Sequence, residues 1–219
     1  MYNGNMCGRY ELTDAKLESK FKAYSEGFDI HPNYNVAPTQ VMPVVVADEK
    51  GRQLELMHWG IPRMIGPDKV KEIINTRSDK AFERFWGNTV RSKRCLVPAT
   101  GFFEWKTDKD GKQPFYIHPT DQELFAFAGI WSEWTTKEGE KMKTYSIMTT
   151  EPNKVMLDIH NRMPVILHEE DYDAWLSQED DRNVLEPLLR PYEDNNLEAF
   201  EVSKEVNNVS NNSPDLVRR

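Results

Sequence analysis

The sequence predicts an α+β fold: a single domain, mainly antiparallel β, barrel-like or built of two packed twisted sheets, with a few flanking helices. Three observations carry that expectation. Between residues 94 and 148, short β-branched and aromatic runs recur at hairpin spacing, with turn signals at Asp110-Gly111 and Glu138-Gly139. Segments with helical apolar spacing are few and short. No repeat or linker divides the 219 residues, a length that buries one sizeable core at 38% hydrophobic and 11% aromatic content.

Taken in order, Thr13 reads as an N-cap, and Asp14–Tyr24 places Leu17, Phe21 and Tyr24 on one helical face. Residues 34–40 read as an irregular segment leading into Val41–Ala47, a β-branched run that predicts a buried strand, with Pro43 arguing for an edge or a bulge. Leu54, Leu56 and His58 predict the next strand. Ala81, Phe82, Phe85 and Trp86 fit a second helix from Thr76 to Trp86, with Arg77, Lys80 and Arg84 on its wetter faces. Strands are expected at Cys95–Val97, Phe102–Lys106, Phe115–His118, Phe125–Ile130 and Tyr145–Met148. Asp171–Leu176 and Asn183–Leu189 read as short closing helices, and 203–219 as a polar, Asn-rich tail that need not be ordered throughout.

Composition removes several classes of function. No apolar run reaches the ~20 residues of a membrane-spanning helix, and Met-Tyr-Asn-Gly-Asn lacks the basic and apolar parts of a secretory signal, so a cytoplasmic protein is expected. Two cysteines, Cys7 and Cys95, make no disulfide framework, and five histidines without an HExxH pair supply no visible metal ligand set. Neither metal nor cofactor is expected. Cys95, among apolar neighbours, reads as buried filler. The net charge of −8 is polarised: residues 69–94 hold eight Lys/Arg against three acids, and residues 168–205 hold thirteen acids against three bases. Placement rather than the total decides whether nucleic acid can bind.

The stretch Met6-Cys7-Gly8-Arg9-Tyr10 is the most informative, because a cysteine after a methionine can become the N-terminal residue. Its α-amine, with a pKa of about 7.7–8, is then partly neutral near pH 7, and amine and thiol sit on adjacent carbons. With an aldehyde the amine forms an imine and the thiol adds to it, closing a five-membered thiazolidine. While the six preceding residues remain, the nitrogen of Cys7 is an amide without an available lone pair. Residues 1–6 are therefore read as a leader absent from or removed in the active form, 7–210 as the functional domain and 211–219 as a polar C-terminal tail.

The chain resembles the SRAP family, the SOS response-associated peptidase proteins that shield abasic sites. The motifs run through the chain in the family's order: Met-Cys-Gly-Arg at 6–9, Tyr-Asn-Val-Ala-Pro-Thr-Gln at 34–40, Trp-Gly-Ile-Pro at 59–62, Asn-Thr-Arg-Ser at 75–78, Arg-Cys-Leu-Val-Pro-Ala at 94–99, Gly-Phe-Phe-Glu-Trp at 101–105 and His-Asn-Arg-Met-Pro-Val at 160–165. The resemblance implies the SRAP fold and a thiazolidine crosslink between N-terminal Cys7 and the ring-opened deoxyribose of an abasic site, in single-stranded DNA or at a junction with duplex. It implies Cys7 as nucleophile with Asn75, Glu104 and His160 as its active-site partners. His160 suits the acid that opens the sugar ring, Glu104 beside Trp105 a proton shuttle, and Asn75, which cannot titrate, a hydrogen-bonding anchor. For DNA it points to Arg9, Arg77 and Arg162 as phosphate contacts, with Asn35, Pro38 and Trp59 lining the strand's path. Trp59 is equally readable as core.

Two further readings compete. Cys7 and His160 can form the nucleophile and base of a thiol peptidase, in its sharpest form cleaving its own chain before Cys7. Alternatively, the chain is a non-catalytic module for single-stranded DNA. A DNA ligand would associate the protein with the nucleoid, and a free-standing chain of this length without a zipper pattern leans monomeric.

Overall fold

Hairpins make up most of the chain, as the alternating runs predict. The computed structural model describes residues 8–219 apart from 15, 26, 68, 84 and 110. The expectations on Cys7, on the leader and on Arg84 and Asp110 lie outside the described residues. The chain opens with β1 (Arg9–Leu12), α1 (Leu17–Phe21), β2 (Ala23–Ser25) and β3 (Asn33–Val36). The hairpin β4 (Val41–Asp48) and β5 (Gly51–Trp59) follows, then β6 (Ile61–Met64), β7 (Val70–Ile73), β8 (Asn75–Arg77) and α2 (Gly87–Ser92). Next come β9 (Arg94–Ala99), the hairpin β10 (Gly101–Asp108) and β11 (Gly111–Pro119), and the hairpin β12 (Phe125–Thr135) and β13 (Lys141–Thr150). The last elements are α3 (Lys154–Leu157), β14 (Met163–Pro164), β15 (Ile166–Leu167), α4 (Tyr172–Leu176), α5 (Arg182–Leu185) and β16 (Leu197–Glu201).

In the larger sheet β13, β12, β9, β4 and β5 are neighbours in that order, and β5 returns to pair in parallel with β13 through His58 with Thr144 and Trp59 with Tyr145. The five strands thus close on themselves, which removes the exposed edges that a flat sheet would leave. Gly129 in β12 is needed for that closure: a Cβ there would meet Cys95 Sγ at 2.7 Å and a methyl of Val97 at 2.8 Å. Pro43 is tolerated inside β4 because its pairing partner is Leu56 of β5, whereas β4 meets β9 only at Val45 and Leu96.

The second sheet runs β16, β11, β10, β1, β3 and is antiparallel throughout. One face packs on the barrel. Tyr10 meets Trp59 edge-on with centroids 5.1 Å apart, its hydroxyl lies 2.8 Å from that of Tyr145, and Phe102 meets Phe127 at 5.8 Å. The other face carries Phe103 and Tyr116, buried with Val202, Val206 and Leu216. Residues 203–219 are accordingly packed onto this sheet rather than left as a loose polar tail. Val206 and Leu216, apolar residues isolated among asparagines, are the anchors that composition hides.

Two helix expectations change. The helix expected over Asp14–Tyr24 ends at Phe21, because Lys22 turns left-handed (φ 49°) and Ala23–Ser25 pair in parallel with β5. Thr13 does not cap it; the entry is instead an Asp14 side chain accepting from the Lys16 amide at 2.8 Å. The helix expected over Thr76–Trp86 is absent. Asn75–Arg77 form a strand against β13, Thr76 is buried with its hydroxyl 2.9 Å from that of Ser146, and the helix begins only at Gly87. Tertiary pairing overrides the apolar spacing there. Phe85, assigned to the apolar face of that helix, is half exposed.

Candidate functional site

The end of β13 organises the site, because two short strands flank it. On one side β8 sets Asn75 beside Ile147 and Arg77 beside Thr149; on the other, β14 sets Pro164 beside Thr149. Arg77 and Arg162 therefore converge on Thr149. Arg162 donates from Nη2 to the Thr149 carbonyl at 2.5 Å, and its Nη1 lies 3.6 Å from Asp79 Oδ1. Arg77 grips the same aspartate bidentately, at 2.9 and 2.7 Å. Two guanidinium groups thus share one carboxylate and leave a surplus positive charge. The Nε of Arg162 is buried and, among the described residues, has no hydrogen-bond partner. Burial, and then the neighbouring Arg77 charge, hold the Arg162 pKa below its ordinary value.

Glu104 and His160 face each other from different layers. Glu104 belongs to β10 and is 3% exposed. His160 follows α3, whose Asn153 cap accepts from the Met156 amide at 2.9 Å while its side-chain amide donates to the Tyr192 carbonyl at 2.9 Å. Met156 in turn accepts the backbone N–H of His160 at 2.8 Å, which fixes the loop. His160 Nδ1 stands 3.6 Å from Glu104 Oε1 and accepts from the Arg162 amide at 3.3 Å. Burial chiefly lowers the His160 pKa, and the Arg162 and Lys112 charges push the same way. This favours a neutral ring near neutral pH, with Nδ1 accepting and the proton on Nε2.

The expected DNA-path residues divide. Arg77 and Arg162 reach the rim of the site and Pro38 is half-buried. Trp59 is fully buried, with its Nε1–H donated to the Ile74 carbonyl at 3.0 Å, so no ring face is open to a base; it is the core alternative that the structure holds. Its work is to anchor the residue before Asn75. Asn35 is also buried, and both it and Arg9 are engaged with the C-terminal segment. Cys95 is buried in the barrel wall, and burial raises its thiol pKa.

Sequence reasoning missed one surface. Arg63 stacks over Phe85 at 3.9 Å from the ring centroid, and Met64, Ile65, Val70 and Phe85 are all largely exposed on this face of the β6–β7 hairpin. The signal was present, an apolar pair after Arg63 between two turn-forming stretches, but assigning Phe85 to a helix hid it. Among the described residues no three His, Cys, Asp or Glu side chains converge as a metal site would require, and no helix is long and apolar enough to cross a membrane.

Fold and site together define a class: a closed mixed β-barrel with a second sheet, carrying a buried carboxyl that faces a half-buried imidazole beside a pair of arginines. The chain belongs to the SOS response associated peptidase (SRAP) family, whose profile matches residues 6–209. It is 39% identical over 226 residues to the abasic site processing protein YoqW of Bacillus subtilis, an alignment covering 97% of this chain and 99% of that one. It is 33% identical to the abasic site processing protein HMCES of Gallus gallus, covering 85% of this chain and 66% of the relative. A crystal structure of a Bacteroides thetaiotaomicron protein superposes with a TM-score of 0.85 at 25% identity, covering 97% of this chain and 99% of that one.

Proposed function

We propose that this protein captures abasic sites in single-stranded DNA by a covalent bond to Cys7. The observation that carries the reading is the facing Glu104 and His160 pair beside the paired guanidinium groups of Arg77 and Arg162. The register of β1 on β10 supports it: Arg9 pairs with Phe103, so one residue further the register sets Gly8, bonded directly to Cys7, level with Glu104. Relatives named abasic site processing proteins along nearly the whole chain support the choice of substrate.

The chemistry follows from the groups. A phosphate on the strand is held by Arg77 and by Arg162, whose buried Nε awaits an acceptor. Opening the sugar moves a proton from its anomeric hydroxyl to its ring oxygen and frees the aldehyde; His160, neutral with Nε2–H, and Glu104 are placed to relay it. The free amine of Cys7 adds to the aldehyde carbon, water leaves to give the imine, and the thiol sulfur adds to that carbon while its proton passes to nitrogen. One water is released and a thiazolidine remains. Asn75, on the strand that carries Arg77, holds the sugar or the amine by hydrogen bonds. The exposed apolar face of Met64, Ile65 and Phe85 with Arg63 offers stacking without base identity.

Intact mass and crosslinking test this together. Chain beginning at Cys7 is expected to give a heat-stable adduct with abasic single-stranded DNA, one water lighter than the sum of its parts, and Cys7→Ala to give none. Glu104→Gln or His160→Ala should slow the adduct more than it weakens DNA binding. An adduct formed equally by Cys7→Ala, or by chain that keeps residues 1–6, would overturn the mechanism. Loss of Met1–Met6 that depends on Cys7 and His160 would favour the peptidase reading of the same pair.

A further inference from the structure

The Arg9 guanidinium is half-buried, and among the described residues no carboxylate pairs with it. It collects neutral acceptors instead: Nη1 donates to Asn35 Oδ1 and to the Val206 carbonyl, each at 2.7 Å, and Nε reaches back to the Gly8 carbonyl at 3.3 Å. The Trp105 ring lies 5.9 Å away. Burial lowers the Arg9 pKa, the mark of a cation held without a compensating charge. Asn35, 1% exposed, donates from Nδ2 to the carbonyls of Val206, Asn208 and Asn211 at 3.3, 3.1 and 2.9 Å. Trp105 Nε1 donates to Asn207 Oδ1 at 2.8 Å, and the Tyr34 amide to Asn212 Oδ1 at 2.9 Å. Tyr34 and Asn35 belong to β3 and Trp105 to β10, the two strands that flank β1. The C-terminal segment therefore spans β1 from neighbour to neighbour, seated by the buried Val206 and Leu216.

We propose that residues 203–217 form a clasp that fixes the start of β1 for the reaction at Cys7, with Arg9 and Asn35 as positioning residues that act through the Gly8 carbonyl. The inference rests on the covalent reading above. The first residues of a chain fray unless tied down. Ring closure onto one sugar carbon demands that amine and thiol both arrive in near-attack geometry, and misplacement of about 1 Å costs about a hundredfold in rate. Arg9 links the clasp to the carbonyl one residue from the nucleophile, so the C-terminus completes a site to which it contributes no reacting atom.

The experiment compares wild type with Asn35→Ala, which removes the clasp's hydrogen bonds, and Leu216→Ala, which loosens its apolar seat without touching Arg9 or Asn35. With all three proteins beginning at Cys7, deuterium exchange reads the segment 8–12; crosslinking at saturating DNA reads the reaction; binding to a strand with an unreactive tetrahydrofuran in place of the abasic sugar reads affinity. Both variants are expected to exchange faster at 8–12 and to crosslink about tenfold or more slowly, with affinity for the tetrahydrofuran strand little changed, at temperatures well below unfolding. Unchanged exchange at 8–12, or faster exchange with an unchanged crosslinking rate, overturns the clasp. A wild-type chain that never crosslinks overturns the reaction itself and the positioning role with it, a distinguishable result because it is shared by all three proteins.

Discussion

His160 has its ionisation fixed by where its backbone lies. The Arg162 amide points at Nδ1, which must present a lone pair, and burial together with the Arg162 and Lys112 charges disfavours the cation. The folded chain therefore binds this proton less readily than the unfolded one. Stability from this group is in full force above the unfolded value of about 6.5 and is lost as pH falls through it toward the depressed folded value. The His160 ring resonance should titrate with a midpoint below 6.5, and crosslinking should stay active through neutral pH, failing only as the ring protonates. A midpoint at or above 6.5 would contradict the assignment. Motif resemblance pointed to His160 and Glu104, yet the protonation state was illegible: it depends on burial, on an amide two residues along and on the Arg162 and Lys112 charges that the fold brings near.

At the scale of elements, the turn between β3 and β4 holds a misfit. Gln40 donates its amide to the Ala37 carbonyl at 3.3 Å, and Thr39 between them sits in the left-handed region at φ 75°, unusual for a β-branched residue. Its amide donates to the Trp59 carbonyl at 2.9 Å, so the turn is tied to the end of β5. Left-handed strain of about 1–3 kcal/mol exceeds the ~0.5–1 kcal/mol that glycine's unfolded-chain freedom costs, so Thr39→Gly should stabilise the fold by a net of about 1 kcal/mol, read as a higher denaturant midpoint. The Thr39 side chain is exposed, so little burial is lost with it, and a lower midpoint would show that the strain is not there. The same turn illustrates what elements the sequence could and could not announce. Alternation located the β4 and β5 hairpin and the β12 and β13 hairpin, since each is stabilised by neighbours in sequence. Barrel closure depends on β5 meeting β13 some ninety positions later in parallel, and no local pattern encodes that. The false helix at Thr76–Trp86 has the same origin: β8 exists because β13 is there to receive it. The clasp was hidden because an Asn-rich run signals turns, whereas here the asparagine carbonyls and amides are the fastening.

For the whole molecule, the surplus of acid and the proposed DNA ligand are reconciled by where the bases end up. Among the described bases of residues 69–94, several are engaged within the fold: Arg94 is buried and donates to the Trp175 carbonyl at 2.5 Å and the Glu179 carbonyl at 2.8 Å, and Lys80 is paired with Glu83 at 2.5 Å. Arg91 and Lys93 lie over the Phe82 and Trp131 rings. Lys69 and Lys71 stay exposed, and the pair Arg77 and Arg162 with their shared Asp79 lies at the proposed site, while the acidic 168–205 segment discourages non-specific coverage. Each phosphate held on a single strand contributes about −0.7 to the slope of log affinity against log salt, so two contacts give a slope of about −1.4, shallow for a nucleic-acid binder. Arg77→Gln should remove about half of that slope while leaving the fold intact, since the Arg77 side chain is exposed and, among the described residues, bonds only Asp79. Titration of a labelled strand across a salt series reads both quantities. A steep slope in the wild type would mean that a larger basic surface is at work than the arginine pair, and an unchanged slope in the variant would take Arg77 out of the DNA path.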